Sequence, residues 1–257
     1  MKGFHINKSI VRGIKSAVVL SLIFAAIGFV NKKHKAKTFN SLVIHLDNQY
    51  DNFFVDENDI LRLIGASEGG QIMNASLSSI DLRTLERKVS KEKYIKEAEI
   101  YKDLKGNIII NATQRRPVAR ILNTDKTDDY ITWDGTILPV SDKYTSRVLL
   151  LRGGYEESLS MKNIQDSEYG ERLFNLIKFI SMNDFWRAQI AEIEVLPSGD
   201  LNMQPQITKQ QIEFGMPENI EEKFRNLEIF YKKILPRKGW NYYTRVSLKY
   251  KGQIICE

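Results

Sequence analysis

The chain has 257 residues, 42% of them hydrophobic and 27% charged, a composition that is ordinary for a globular protein of one or two domains. Eight of its 38 lysine and arginine residues lie within the first 40 positions, where there is no acidic residue. The rest of the sequence therefore contains 30 basic and 32 acidic residues. The positive charge therefore belongs to the N-terminal segment, and this argues against a nucleic-acid-binding domain, which needs a basic face on its folded part.

An apolar segment follows the basic N-terminus. The run Ser16–Val30 is uncharged, and Ile14 extends it towards the ~20 residues of a membrane-spanning helix. A cleaved signal peptide should end in small residues, whereas this run ends in Phe29 and Val30 before basic residues. A buried core helix should show a polar face, which this run lacks. We therefore predict an uncleaved membrane anchor, and the short tail before it favours a cytoplasmic N-terminus.

One strand and two helices are predicted next. Alternating apolar residues predict a first strand over Asn40–Leu46. Acidic and short polar residues from Asp56 onwards are typical of a helix start, and Gly65 is typical of a helix end. A second helix is predicted over Ser79–Val89.

Two extended runs then flank a turn at Gly106-Asn107, which can supply the positive φ of a short hairpin. On the second run Ile108 and Ile110 alternate with polar residues, which is the period of a half-buried strand. Pro117 has no backbone donor, so we expect strand pairing to stop or change partners there. The pattern predicts a hairpin that closes one small domain before a second one begins.

The second half of the chain predicts a sheet with two long helices. Asp134-Gly135 is a hairpin signal inside the extended run Tyr130–Leu138. Apolar residues follow helical spacing over Glu168–Met182, and again between Pro217, taken as the helix start, and Pro236, taken as its end. Further strands are predicted over Val118–Leu122, Arg147–Leu151, Ile190–Val195, Leu201–Met203 and Gln211–Phe214.

The last predicted strand is Tyr242–Tyr250, in which Val246 and Leu248 share one face. Basic residues at Arg245 and Lys249 suit an acidic partner segment, because complementary charge steers encounter and register. A sheet edge here can accept a partner strand by main-chain pairing. An inner strand, or an edge covered by the tail Ile254–Cys256, is the alternative, and the residues alone leave these possibilities open.

Catalytic motifs with credible spacing are absent from the sequence. The single cysteine, Cys256, excludes an intrachain disulfide, and the three histidines all lie within the first 45 residues. Phosphate-binding loops, nucleophile elbows and zinc-protease motifs are not found. We therefore predict that the protein is not an enzyme and needs no cofactor. A glycan-binding site is a minor alternative that would use the tryptophans Trp133, Trp186 and Trp240.

Local sequences and the order of elements carry a resemblance to a known family. The run Gln114-Arg115-Arg116-Pro117-Val118-Ala119 is similar to an acid-Arg-Arg-Pro-x-Ala sequence, with Gln114 in place of the acid. The run Lys249 to Ile254 is similar to the C-terminal strand of the same family and to the extension that follows that strand. Together with the basic tail, the apolar segment and the strand–helix–helix–strand–strand order, these features resemble the FtsQ/DivIB family of bacterial cell-division proteins. The chain is identified as a divergent member.

The resemblance implies an α+β chain with a single N-terminal transmembrane helix, a POTRA domain of βααββ order and then a mixed α/β domain with an extended, antiparallel-rich sheet. The implied segments are a cytoplasmic tail (1–13), the transmembrane helix (14–30), a basic juxtamembrane linker (31–39), the POTRA domain (40–116) and an FtsQ-type β domain (117–257).

The resemblance also implies a function that does not involve catalysis. The protein would be a scaffold in the bacterial inner membrane at the division septum, with the bulk of the chain in the periplasm. Its partners would be FtsB, FtsL and other divisome membrane proteins, and it would link early and late divisome components and help control septal peptidoglycan synthesis. The alternative is a POTRA-containing transport or outer-membrane-assembly component, although that class usually has several POTRA copies and the sequence has no internal repeat.

The resemblance places partner binding on the last predicted strand and the residues that follow it. A strand of FtsB would add to this edge beside the helix Glu218–Leu235. The candidate partner-binding residues are Tyr243, Arg245, Val246, Ser247, Leu248, Lys249, Tyr250, Lys251, Gly252 and Gln253.

Overall fold

The computed structural model describes residues 17–24, 41–48, 50, 52–66, 80–153 and 162–257. The predicted tail and juxtamembrane linker lie outside the described residues. Of the predicted membrane helix, only residues 17–24 are described, and they are helical. Within the described part of the chain, no helix is both long enough and apolar enough to cross a membrane.

The chain divides into two compact units. The first contains the residues up to Asp47 together with Val55–Thr113, and the second contains Asn48–Phe54 together with Gln114–Glu257. A short segment, Asn48–Phe54, therefore belongs to the second unit although the residues on both sides of it belong to the first.

Beyond the helical residues 17–24, the described part of the first unit contains three strands and two helices in the predicted βααββ order. Its elements are β1 (Leu42–Asp47), α1 (Glu57–Ile64), α2 (Leu82–Ser90), β2 (Ile95–Lys102) and β3 (Ile108–Gln114). The strand order in the sheet is β1-β3-β2, and β1 runs parallel to β3. The short connection between β2 and β3 makes them the predicted hairpin, since parallel neighbours need a long crossover.

Local hydrogen bonds explain where the helix and the hairpin turn of this unit begin and end. The Asp56 carboxylate accepts from the Asp59 N–H at 2.9 Å and the Asp59 carboxylate accepts from the Asp56 N–H at 3.0 Å, which is a capping box. Gly65 ends α1 at φ 73°, a conformation that favours glycine. In the turn, Asp103 accepts from the Asn107 N–H at 2.8 Å, and this bond, opposed by partial desolvation, lowers the pKa of the Asp103 carboxyl.

The core of the first unit follows the predicted alternation of β3. Ile108 and Ile110 are fully buried, while Asn111 between Ile110 and Ala112 is half-buried on the opposite face. The buried side of α1 presents Ile60 to the interior, and the helices and β2 add Ile64, Leu85, Val89, Ile95 and Ile100.

Among its described residues, the second unit has one nine-stranded sheet in the order β12-β11-β10-β9-β8-β7-β4-β5-β6. Five neighbouring pairs are antiparallel and three are parallel, so the sheet is mixed and rich in antiparallel pairs. Its strands are β4 (Pro117–Ile121), β5 (Asp129–Thr132), β6 (Ile137–Pro139), β7 (Leu149–Gly153), β8 (Ile190–Val195), β9 (Leu201–Pro205), β10 (Gln211–Gly215), β11 (Arg245–Ser247) and β12 (Ile255–Cys256).

The pairing register explains why one face of this sheet is apolar. Six buried side chains stand opposite one another across neighbouring strands, in the order Ile121, Leu151, Ile193, Met203, Ile212 and Val246. In the next row across the sheet, one residue from the apolar row on each strand, the polar residues are Arg152, Glu194, Asn202, Glu213 and Ser247. Because side chains alternate between faces, this register gives the sheet one apolar and one polar face.

The helices of the second unit join the apolar side chains of the sheet in one core cluster. Among the described residues they are a 3-10 helix (Ile164–Asp166), α3 (Glu168–Met182), α4 (Asp184–Gln189), α5 (Ile220–Ile229), a π-helix (Phe230–Ile234) and α6 (Leu235–Lys238). The bounds of α3 agree with the predicted helix. At its start a Cβ on Gly170 would lie 1.9 Å from the Ile164 carbonyl oxygen, so only glycine allows this close approach.

Two details of the next helical region differ from prediction, and both involve proline. Pro217 was expected inside the helix, but α5 begins at Ile220 after Asn219, which has φ 51°. Pro236 was expected to end the helix, but α6 continues to Lys238. The π-helix ends at Ile234, so Pro236 lies in the first turn of α6, where a proline is tolerated because its missing N–H has no partner in that helix.

Candidate functional site

The last predicted strand is shorter than its sequence pattern suggests, and it is not a sheet edge. Only Arg245–Ser247 forms β11. It pairs in parallel with β10 on one side and antiparallel with Ile255–Cys256 on the other. The expectation of an open edge at Tyr242–Tyr250 was therefore wrong, and the tail covers this strand because Glu257 exchanges two main-chain bonds with Arg245, at 2.9 and 3.0 Å.

Burial does not alternate over these residues as it would in a half-exposed strand. Val246, Ser247 and Leu248 are buried in succession, and the Ser247 hydroxyl has no hydrogen-bond partner among the described residues. Tyr243 is half-buried against Phe230, with ring centroids 5.8 Å apart. Val246 and Leu248 therefore belong to the unit's own core, and Tyr243 packs against that core.

The basic residues at this site are mostly neutralised within the chain. Arg245 forms ion pairs with Glu213 at 3.1 Å and with Glu257 at 2.5 Å. The hydrogen bond to Glu257 is the main cause that raises the pKa of the Arg245 guanidinium, and the hydrogen bond to Glu213 adds to it. Lys249 forms an ion pair with Asp200 at 3.2 Å. The positive edge expected from the sequence is thus only weakly positive, because each of these basic groups already has an acidic neighbour.

A cleft of about 240 Å³ lies beside the exposed turn that follows β11. Lys223 from α5 lies in its wall and donates to the main-chain oxygens of Phe214 and Met216, both at 2.8 Å. Burial lowers the pKa of the Lys223 amine, while Glu218 and Asp200 oppose this shift. Three acidic side chains and three lysines share the lining, so the cleft has no strong preference for either sign of charge: Asp200, Glu218, Glu222, Lys223, Lys249 and Lys251.

The turn itself is exposed from Lys249 to Gln253, and the Gly252 N–H donates to Glu222 at 3.2 Å. Within the described sheet, β12 is the outermost strand at this end. Ile255 is 38% exposed and Cys256 is half-buried. The partial burial of Cys256 raises the pKa of its thiol through desolvation. The sequence indicates Ile254–Cys256 only as a possible cover for the preceding strand, because a strand of two residues has no periodic pattern that would predict an edge.

The direction of main-chain groups on β12 follows from its pairing. Arg245 and Glu257 form a hydrogen-bonded pair, so the alternate residue Ile255 also directs its N–H towards β11. The N–H and C=O of Cys256 then point away from β11, to the open side of the sheet. This side can pair with an additional strand.

The described residues contain no group of acidic, cysteine and histidine side chains suited to hold a metal ion. Two family models match the chain: one described as "FtsQ/DivIB, C-terminal related" over residues 116–257, and one described as "POTRA-like domain" over residues 38–113. No curated protein matches it.

Proposed function

Because the chain belongs to the FtsQ/DivIB family, we propose that it acts as a non-enzymatic, membrane-anchored scaffold of the bacterial division machinery. The observation that carries this proposal is the family match over residues 116–257, the whole of the large sheet with its helices. Both matched families are scaffolds without catalysis. In this role the protein links early and late divisome components and helps to control septal peptidoglycan synthesis.

The proposed partners are FtsB, FtsL and other divisome membrane proteins. The structure supports one point of attachment, since β12 is the outer strand of its sheet and Cys256 directs main-chain groups to the open side. A partner strand added there would be held by main-chain bonds, with selectivity from neighbouring side chains. The exposed turn Lys249–Gln253 precedes this edge strand in the sequence, and most of the turn's residues line the cleft beside α5.

Co-purification tests the proposed partners. The tagged chain, extracted from membranes in detergent, is expected to retain FtsB and FtsL. We expect Cys256→Pro to abolish this capture while the fold survives, because proline removes the outward donor of β12. Ile255→Pro is the matched variant: it removes a donor to β11 and should lower the unfolding temperature. Retention of both partners by a folded Cys256→Pro protein would place the binding surface elsewhere.

The proposed topology has residues 1–13 in the cytoplasm, residues 14–30 across the inner membrane and the segments 40–116 and 117–257 as periplasmic domains. The apolar, uncharged run Ser16–Val30 and the basic residues after it support an anchor that is not cleaved. We expect the intact mass of the protein extracted from membranes to include residues 14–30. A mature chain that begins near residue 31 would contradict the anchor and leave the folded part soluble.

A further inference from the structure

A second surface of the second unit has the basic character that β11 and its turn lack. A groove of about 790 Å³ is lined by the amino-terminal ends of β4, β7 and β8, which run parallel as neighbours, and by the end of α3. Its lining includes four arginines and no acidic residue: Arg116, Arg120, Arg147 and Arg187.

Apolar side chains form part of the groove lining, beside the buried polar residues Asn52 and Ser181. Val118, Leu149, Ile180 and Ile190 line the groove, and each is at least nine-tenths buried. A site for a simple anion needs only donors and charge, whereas this groove combines apolar side chains with guanidinium groups. The combination suits a peptide that carries both apolar and acidic side chains.

Two of the four arginines already have acidic partners. Arg120 forms an ion pair with Asp128 at 2.7 Å, and Arg187 forms one with Asp184 at 2.8 Å. Arg116 and Arg147 form no ion pair within the part of the chain that the structure describes. Their guanidinium donors are therefore available to a ligand.

Arg116 is also held in place. Its guanidinium carbon lies 4.1 Å from the ring centroid of Tyr50 and 4.5 Å from that of Trp133, while its main-chain oxygen accepts from the Trp133 N–H at 2.7 Å. Stacking on ring faces fixes the plane of a guanidinium and leaves its edge free for bidentate bonds to a carboxylate. Such a group loses little conformational entropy when a ligand binds.

We infer that this groove binds an acidic peptide segment of a partner protein, with Arg116 and Arg147 as the residues that contact its carboxylates. The inference rests on the proposed scaffold function in that a protein supplies the segment. The inference concerns a different surface from β12. It also specifies the chemistry of the partner sequence that binds there, which is acidic.

The test uses the full chain in nanodiscs of neutral phosphatidylcholine, with empty nanodiscs as the blank. The probe is a fluorescein-labelled octapeptide of alternating glutamate and leucine, and the control probe has glutamine in place of glutamate. We expect the acidic probe to bind more tightly, and added salt to weaken its binding. Equal binding of the two probes would overturn the inference.

Single substitutions test whether Arg116 and Arg147 contact the probe. Arg116→Gln and Arg147→Gln are each expected to weaken probe binding about tenfold, as the loss of one charge-assisted contact predicts. Arg152→Gln is the matched control, since Arg152 is exposed and pairs with Glu192 outside the groove. Arg147 is exposed and has no ion pair among the described residues, so Arg147→Gln should leave the unfolding temperature unchanged. Wild-type affinity of both groove variants would contradict the inference.

A competition experiment separates a peptide carboxylate from a phosphate ligand. Inorganic phosphate and acetate are compared at equal ionic strength, and neither is expected to displace the probe selectively. Selective displacement by phosphate would overturn the inference in favour of a phosphate site. None of these measurements involves FtsB or FtsL, so failure to capture those proteins and failure of this groove to bind the probe are distinguishable.

Discussion

Replacing Ile110 by aspartate is expected to unfold the first unit while the second unit stays folded. The Ile110 side chain is fully buried, at 0% exposure. The substitution removes apolar contacts and places a carboxylate in their place, so we expect a loss of roughly 4 kcal/mol or more in the free energy of unfolding of this unit.

The three tryptophans allow the two units to be monitored separately in the full chain. Trp133, Trp186 and Trp240 all belong to the second unit, so their fluorescence should stay native in the Ile110→Asp protein. Limited proteolysis should instead cut within Val55–Thr113. Asn111→Asp is the matched control, because it adds the same charge at a half-buried position on the opposite face. A change of tryptophan fluorescence together with proteolysis would contradict independent folding.

Replacing Phe224 by alanine is expected to produce the largest loss of stability among single truncations in the second unit's aromatic core. Phe224 is 1% exposed, and its ring centroid lies 4.8 Å from Trp186, 4.9 Å from Phe179 and 5.5 Å from Phe214. Removing a phenyl group from such a site costs about 3–5 kcal/mol, because the surrounding rings cannot close the cavity.

Phe185 supplies the comparison for this prediction. It contacts Trp186 and Tyr231 in the same aromatic cluster but is 38% exposed, so Phe185→Ala should cost clearly less stability. Denaturant unfolding followed by tryptophan fluorescence measures both variants. Equal losses for the two phenylalanines would show that burial does not determine the energetics of this cluster.

The sequence predicted those elements whose signals are local. The cap at Asp56, the left-handed stop at Gly65, the alternation at Ile108 and Ile110, and the length of α3 all appear in the structure as expected. Each depends on hydrogen bonds or periodicity within a few residues, which a single sequence records directly.

The candidate site was less predictable because it depends on contacts between distant segments. Tyr242–Tyr250 has the composition of a long strand, yet the strand extends only over Arg245–Ser247, and its outer partner is a strand of two residues. Ion pairs such as Lys249 with Asp200 join residues 49 positions apart and cancel the charge that the local sequence suggests. The stacking of Arg116 between Tyr50 and Trp133 likewise has no local signature.

The excursion of Asn48–Phe54 into the second unit has a consequence for how the protein can be divided into fragments. The Gln114 amide donates to Asn48 at 2.7 Å and to the Asn52 main-chain oxygen at 3.0 Å, and Phe54 packs against Tyr130 at 5.7 Å. A gene fragment cut at residue 116, where the family match begins, would therefore encode the large sheet without a peptide that completes its interior. During synthesis that peptide emerges more than sixty residues before the strands it covers, so the second unit reaches its final form only after the first has been made.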